Sequence, residues 1–233
     1  MAKMKKENCV KDDIMYRFFY DSNTDSIVAE VAYAVARTEK TVTIPCMVEN
    51  IPVVRVAAGA FAQMRQLEKV YIETSKSLQI CKDAFSLCPN LFQVESYSDT
   101  LYLEKKAFFD NPSLTNFLCY GKLNLMGENI FFKCPSMKKI HGRISVLKPY
   151  ALSGATGLKK LCFEKNVDIH AGALNGCPPL ELWFIGNANF IPPALPEMLK
   201  DCKILCRKSS NLTDLAYEGY DVETTALLNL SAF

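Results

Sequence analysis

The sequence is poor in the residues that most catalytic and metal sites require. Its 233 residues include two histidines and one tryptophan. No two of its cysteines have the Cys-x-x-Cys spacing that is typical of structural zinc sites. Gly154 and Gly157 are not followed by the Lys-Ser/Thr pair of a phosphate-binding loop. We therefore expect no metal, no cofactor and no small-molecule substrate.

An excess of charge and long apolar runs are also absent. The chain has 27 Lys and Arg against 25 Asp and Glu, a net charge of +2, which gives no reason to expect a nucleic acid or an anionic membrane as partner. No apolar run approaches the roughly 20 residues of a transmembrane helix, so no membrane insertion is expected. The segment 1–8 is basic without an apolar stretch and indicates no signal peptide, although earlier removal of one stays open.

What the chain does have is a repeat. An Ala-Phe pair, or a close equivalent, recurs with gaps of 24, 23, 23, 21, 22 and 21 residues, obtained by subtracting successive positions. A period of this size indicates a solenoid, in which each unit buries its apolar face only against its neighbours. The pairs are Ala60-Phe61, Ala84-Phe85, Ala107-Phe108, Ile130-Phe131, Ala151-Leu152, Ala173-Leu174 and Ala194-Leu195.

Aligned on these pairs, the units share the pattern A-F-x-x-C-x-x-L-x-x-V-x-I. The end of the pattern alternates with period two, which predicts a short strand with one buried face. The Ala-Phe segment is too short for a long helix and predicts a helical turn. We therefore expect a leucine-rich-repeat-like solenoid of about seven units of 21–24 residues, with short parallel strands, helical turns and an N-terminal β-hairpin cap.

This pattern resembles the BspA-type, or Treponema pallidum type, leucine-rich repeat family. The family unit I-x-x-x-A-F-x-x-C-x-x-L-x-x-I-x-I-P matches the chain from about residue 41 to 206. Departures such as Asn111 and Ala155 for Cys, Ile130 for Ala and Asp201 for Leu predict imperfect packing in a diverged member. The resemblance implies a non-enzymatic protein that binds other proteins at a cell surface or in a host.

The two ends of the repeat predict capping segments. Residues 16–20 and 27–33 are β-like runs joined by the turn-forming residues 21–25. We expect disorder in 1–12, an N-terminal β cap and first partial unit in 13–58, the solenoid in 59–206 and a C-terminal cap in 207–233. Caps of this kind cover the apolar surface and strand edges at the ends of a solenoid.

Ten cysteines raise the question of compartment. Cys88, Cys134 and Cys177 occupy the same repeat position, where a buried free thiol acts as a small hydrophobic residue. Disulfides are a less favoured alternative, and a metal site is the least favoured. Many unpaired thiols and no signal peptide favour the cytoplasm. The resemblance implies instead a surface or secreted protein, and localisation stays open.

The outward positions of the strands form the candidate binding site. They fall into columns on neighbouring strands, about 5 Å apart, and are rich in Tyr and Arg, the types most enriched at interface hot spots. The alternative is that these residues are only good strand formers. The predicted partner-binding residues are Tyr71, Glu73, Glu95, Tyr97, Leu118, Tyr120, His141, Arg143 and Phe184.

One column also places His141 beside Cys162, the two residue types of thiol catalysis. No orienting Asn or Asp, oxyanion donor or pocket accompanies them, so we interpret the pair as coincidence and predict no enzyme activity. The predicted function is a protein–protein interaction module that binds an unidentified protein through its strand face. The alternatives are an intracellular scaffold or effector-like binder, and a structural module of a larger protein.

Overall fold

The computed structural model describes residues 7–191, 199–218 and 220–225. The chain winds into a parallel β-solenoid with two strand ladders, and the solenoid prediction is confirmed. We call one ladder the front ladder. In the described residues it contains nine strands in two hydrogen-bonded segments, because β12 and β13 do not pair. The first segment consists of β4 (Thr41–Ile44), β7 (Lys69–Ile72), β9 (Gln93–Ser96) and the starts of β11 (Asn116–Leu125) and β12 (Lys139–Leu147), and the second consists of β13 (Lys160–Phe163), β15 (Glu181–Phe184), β17 (Lys203–Arg207) and β18 (Val222–Thr225).

The second, or back, ladder begins with the antiparallel N-terminal cap and continues with parallel strands. Its strands are β1 (Cys9–Lys11), β2 (Ile14–Asp21), β3 (Ser26–Ala34), β6 (Ile51–Val56), β8 (Leu78–Ile80), β10 (Thr100–Leu103), the ends of β11 and β12, β14 (Val167–His170) and β16 (Ala188–Ile191). The two-residue β5 (Met47–Val48) pairs with β6. The front ladder exceeds the predicted seven units because β4 and β18 also stack on it.

The strands β11 and β12 are long because they turn the corner between the ladders without ending. The start of β11 pairs with β9, and its end pairs with β10. At the corner, a Cβ atom on Gly121 would lie 2.1 Å from the carbonyl oxygen of Ser98. Only glycine permits this close backbone approach, so Gly121 lets one continuous strand serve both ladders.

The Ala-Phe segments are turns of a different kind from the helical turns that we predicted. In each unit the residue before Ala and the residue three after it have positive φ, for example Gly59 and Gln63. Successive amides alternate in direction. The N–H of Phe61 donates to the carbonyl of Ala84 in the next unit at 2.8 Å, whereas the N–H of Ala62 donates back to Gly59 at 3.1 Å. Every second backbone N–H group donates to the next unit and not to its own. The continuous ladder of a helix therefore does not form, and the turns connect neighbouring units.

The second residue of each Ala-Phe pair forms the centre of the core. The rings of Phe61, Phe85, Phe108 and Phe131 stack in sequence, with centroids 4.9, 5.2 and 5.9 Å apart. Phe117 of β11 contacts the last two of these rings edge-on. All five side chains are completely buried. Since no single unit encloses its own phenylalanine, this stack makes the folding of each unit depend on its neighbours.

The N-terminal cap has the hairpin that the sequence predicts, with one difference. The strands β2 and β3 pair antiparallel, and the carboxylate of Asp21 accepts hydrogen bonds from the amide of Asn23 and the hydroxyl of Thr24 in the connecting turn. The expectation of disorder through residue 12 is wrong for Cys9–Lys11, which pair with β2 as strand β1. Residues 1–6 lie outside the described residues.

The C-terminal cap continues the front ladder. A 3-10 helix at Thr213–Glu218 follows β17, and β18 then pairs parallel with β17. Leu212 and Leu215 are buried there against the last units. The seventh pair, Ala194-Leu195, lies outside the described residues.

Candidate functional site

The outward side chains of the front ladder form the candidate site, which we call the front face. The register of the strands aligns Tyr71 with Glu95, Glu95 with Leu118, and Leu118 with His141. Each of these four side chains is half-buried, and each lies between two buried residues of its own strand or turn. The period-two pattern of the sequence therefore gives the correct outward orientation for these four residues, from β7 to β12.

A second column contains the most exposed aromatic residues of this face. Tyr97 and Tyr120 each follow a buried residue at the end of their strand segments, and their rings stack at 5.0 Å with an interplanar angle of 17°. They are 47% and 52% exposed. His141 contacts Tyr120 edge-on at 5.9 Å. The three rings form one continuous aromatic ridge. The exposed Arg143 lies beyond it, because the register of β12 pairs Arg143 with Lys122 and not with Tyr120.

Hydrogen bonds hold one end of this ridge in place. The hydroxyl of Tyr97 donates to the carboxylate of Glu95 at 3.0 Å, and the side-chain amide of Gln93 donates to the same carboxylate. The hydrogen bond to Glu95 raises the pKa of Tyr97 above that of a free phenol. The ridge is therefore preorganised by its own side chains.

Glu73 lies apart from the aromatic ridge. Its carboxylate accepts a hydrogen bond from the amide of Cys46 at 3.1 Å and lines a cavity at the N-terminal end of the solenoid. Glu73 follows β7 as Tyr97 follows β9, but its carboxylate bonds to Cys46 and not to the residues of the ridge.

The predicted exposure of Phe184 is wrong. Its side chain is completely buried and stacks on Phe163 at 4.7 Å, and Trp183 takes the outward position beside Cys162. The unit is one residue shorter between Leu180 and β15 than the consensus spacing. The sequence offers no correction, because Leu182, Trp183 and Phe184 are all apolar. Trp183 is the residue that the alignment missed on this face.

The structure does not support a catalytic role for Cys162. In the described part of the chain no strand pairing joins β12, which carries His141, to β13, which carries Cys162. Burial and the charge of Glu164 raise the pKa of Cys162 to about 12. A nucleophilic cysteine needs the opposite shift, because the thiolate is the reactive form.

The cysteines of the repeat position serve the core. The thiols of Cys88, Cys134 and Cys177 donate to backbone carbonyls of the preceding unit, Phe61, Phe108 and Leu152, at 3.2, 3.2 and 3.1 Å. Burial raises their pKa values to about 11, 12 and 12. Each thiol thus remains protonated and connects two units.

Asn111 fills the same position without the imperfect packing that we predicted. It is completely buried, and its amide group donates to the carbonyls of Phe85 and Phe108 at 2.9 and 3.0 Å. Its side-chain oxygen accepts from the amide of Cys88 at 2.7 Å. A departure from the consensus here adds hydrogen bonds between units.

These thiols should resist alkylation in the folded protein. We expect Cys88 and Cys134 to remain unlabelled by iodoacetamide at pH 8, since both are buried and their thiolate fractions are very small. The half-buried Cys46 should react faster than either of them. Peptide mass spectrometry would measure the labelling, with protein unfolded in guanidinium chloride as the control. Rapid labelling of Cys88 or Cys134 under native conditions would contradict this placement.

No group of three or more His, Cys, Asp or Glu side chains in residues 7–191, 199–218 and 220–225 is arranged to hold a metal ion. Over the same residues, no helix has the length and apolar character needed to span a membrane.

The stacked units of 21–24 residues, each with a core phenylalanine or leucine and a front strand, define a leucine-rich-repeat solenoid. Six copies of the BspA type leucine rich repeat region match residues 54–181, which is more than half of the 233 residues. The chain belongs to this family, as its Ala-Phe pattern predicts. Membership indicates a protein–protein interaction module with a fold that is typically non-enzymatic.

One solved structure shows the same fold at low sequence identity, and a second is less similar. A leucine-rich repeat protein of T. pallidum is 19% identical, with a TM-score of 0.53 over 89% of this chain and 95% of that one. A leucine-rich repeat protein of Bacteroides ovatus is 15% identical, with a TM-score of 0.40 over 97% of this chain and 69% of the other. No curated protein matches the chain.

Proposed function

We propose that the chain binds a protein partner through the front face, with the aromatic ridge of Tyr97, Tyr120 and His141 at its centre. The exposed Tyr97–Tyr120 stack is the observation that carries the proposal. Tyrosine supplies a large contact area with few rotatable bonds, and the Glu95 hydrogen bond already fixes one ring. Binding would therefore cost little side-chain entropy at this position.

The arrangement of the rings favours a protein surface over a flat ligand. Because Tyr97 and Tyr120 stack on each other, they cover one face of each ring. The edge of His141 covers further surface of Tyr120. A ligand that binds by stacking needs those faces free. A protein surface can pack against the ring edges and hydroxyls, and its carboxylates can pair with Arg143.

The family resemblance favours a partner at a cell surface or in a host. The free thiols of the buried Cys88 and Cys134 and the half-buried Cys177 favour the alternative of an intracellular scaffold or effector-like binder, since many free thiols persist best in a reducing compartment. Both alternatives use the same face. They differ in where the partner is found, so affinity capture from surface and cytoplasmic fractions separates them.

Replacing Tyr97, Tyr120 and Arg143 together with alanine should weaken partner binding by at least about a hundredfold, since hot-spot residues each contribute 2 kcal/mol or more. The thermal melt should stay close to that of the wild type, because all three side chains are exposed. Calorimetry with a partner captured by the wild-type protein would measure the affinity.

A matched control removes the same residue types elsewhere. Tyr33, Tyr102 and Arg65 are also exposed, and their combined replacement with alanine should leave binding unchanged. If the tyrosines of the front face are only good strand formers, both triple variants will bind equally well, and the proposal fails.

A further inference from the structure

The front ladder begins with an open strand edge. Among the described strands, β4 pairs with β7 alone. The carbonyl of Lys40 accepts from the amide of Lys69, and that of Ile44 accepts from Glu73, each at 3.0 Å. In a parallel strand, alternate residues direct their backbone groups to opposite sides. Thr41 and Thr43 therefore direct their N–H and C=O groups away from β7, where a further unit would pair.

A cavity of about 560 Å³ lies along this edge. Thr41, Thr43 and Pro45 line it together with the turn between β1 and β2. The nearly buried Ile14, Val42 and Phe61 also belong to its lining. The cavity thus lies beside outward-directed backbone groups, at the position of a missing strand.

The charge around this cavity is strongly negative. Asp12, Asp13, Glu39 and Glu73 line it with a single opposing ammonium group from Lys11. The whole chain has a net charge of +2, so the negative charge is a local feature. The negative charge also affects the nearby Tyr16. Burial is the main cause of the raised pKa of Tyr16, and the charges of Asp12 and Glu73, among others, raise it further.

We infer that this groove binds an extended basic segment of a partner protein, which adds as a strand to the open edge of β4. Side chains of an added strand alternate between its two faces. Apolar side chains would continue the inward row of Val42 and Ile44, whereas alternate Lys or Arg side chains would reach Asp12, Asp13 and Glu73. The ligand class is therefore a peptide with alternating basic and small apolar residues. This site is separate from the aromatic ridge.

The first test uses a fluorescein-labelled Lys-Val-Lys-Val-Lys-Val peptide with an amidated end, and fluorescence anisotropy with the full chain. Asp12→Asn, Asp13→Asn and Glu73→Gln together should weaken binding about tenfold through the loss of three charge pairs. Asn tolerates the positive φ of residues 12 and 13, and Gln retains an acceptor for the Cys46 amide. The variant should therefore keep its fold, which its thermal melt would check.

A control variant removes the same number of negative charges at positions away from the cavity. Asp99→Asn, Glu164→Gln and Asp221→Asn together should leave the affinity within about twofold of the wild type, since these residues do not line the cavity. Equal weakening by both triple variants would show attraction without a site and overturn the proposal. Equal binding of a Glu-Val-Glu-Val-Glu-Val peptide, or no binding of the basic peptide, would also overturn it.

Strand addition itself is tested on the peptide, which leaves the protein unchanged. One peptide carries N-methyl groups on its valines and another carries them on its lysines. An added strand bonds to β4 through alternate residues, so one of these peptides should lose at least about tenfold in affinity. If both bind like the parent peptide, backbone pairing does not occur and the proposal is overturned.

Discussion

Replacing Phe108 with alanine is expected to lower the free energy of unfolding by about 4 kcal/mol, within the usual range for a buried phenylalanine. Phe108 is completely buried and contacts Phe85, Phe117 and Phe131, with centroids 5.2 to 5.9 Å away. The cavity would lie in the middle of the solenoid, where it weakens the interfaces on both sides of one unit. Guanidinium denaturation followed by circular dichroism would measure the change.

The adjacent residue provides the control. Phe109 is half-buried on the outside of the same turn, where its ring stacks on Phe132 at 5.8 Å. Phe109→Ala should cost about 1 kcal/mol, the contribution of one partly exposed aromatic pair. If the two variants are equally stable, the phenylalanine stack is not the main source of cohesion between units.

The repeat made most of this fold predictable, because burial in a solenoid recurs at a fixed interval. Every Ala-Phe position and most inward strand positions from Phe61 to Phe163 follow from the aligned apolar residues. The conformation of the turns could not be predicted from the sequence. The residues with positive φ before each Ala include Asp83, Lys106 and Tyr150, which share no side-chain chemistry. The backbone shape comes from hydrogen bonds to the next unit, which a single repeat cannot reveal.

The front face was predictable only where apolar and polar residues alternate. Glu95 and Tyr97 flank the buried Ser96, so their orientation follows from the strand period. In β15 the three residues Leu182, Trp183 and Phe184 carry no alternation, and a one-residue shortening moved Phe184 into the core. The groove beside β4 was missed for another reason, since its walls come from segments that are distant in the sequence.

Asn111 shows how a departure from the consensus can strengthen the core. The thiols of the neighbouring units each donate one hydrogen bond to a carbonyl, whereas the amide of Asn111 makes three hydrogen bonds to Cys88, Phe85 and Phe108. A buried amide is favourable only when its polar atoms are satisfied. The sequence shows a polar residue at a core position, but only the structure shows its partners.

Asn111→Ala is accordingly expected to destabilise the protein by about 3 kcal/mol, since it leaves buried backbone groups at Cys88 and Phe85 without partners. Asn111→Cys should cost less, because a thiol can donate to Phe85 as Cys88 does to Phe61.

Asn90 is the control: it is exposed and makes a single hydrogen bond to the carbonyl of Arg65 at 2.7 Å, so Asn90→Ala should cost about 0.5 kcal/mol. Urea denaturation of the three variants would rank them. Equal stability of Asn111→Ala and Asn90→Ala would show that the buried amide does not join the units.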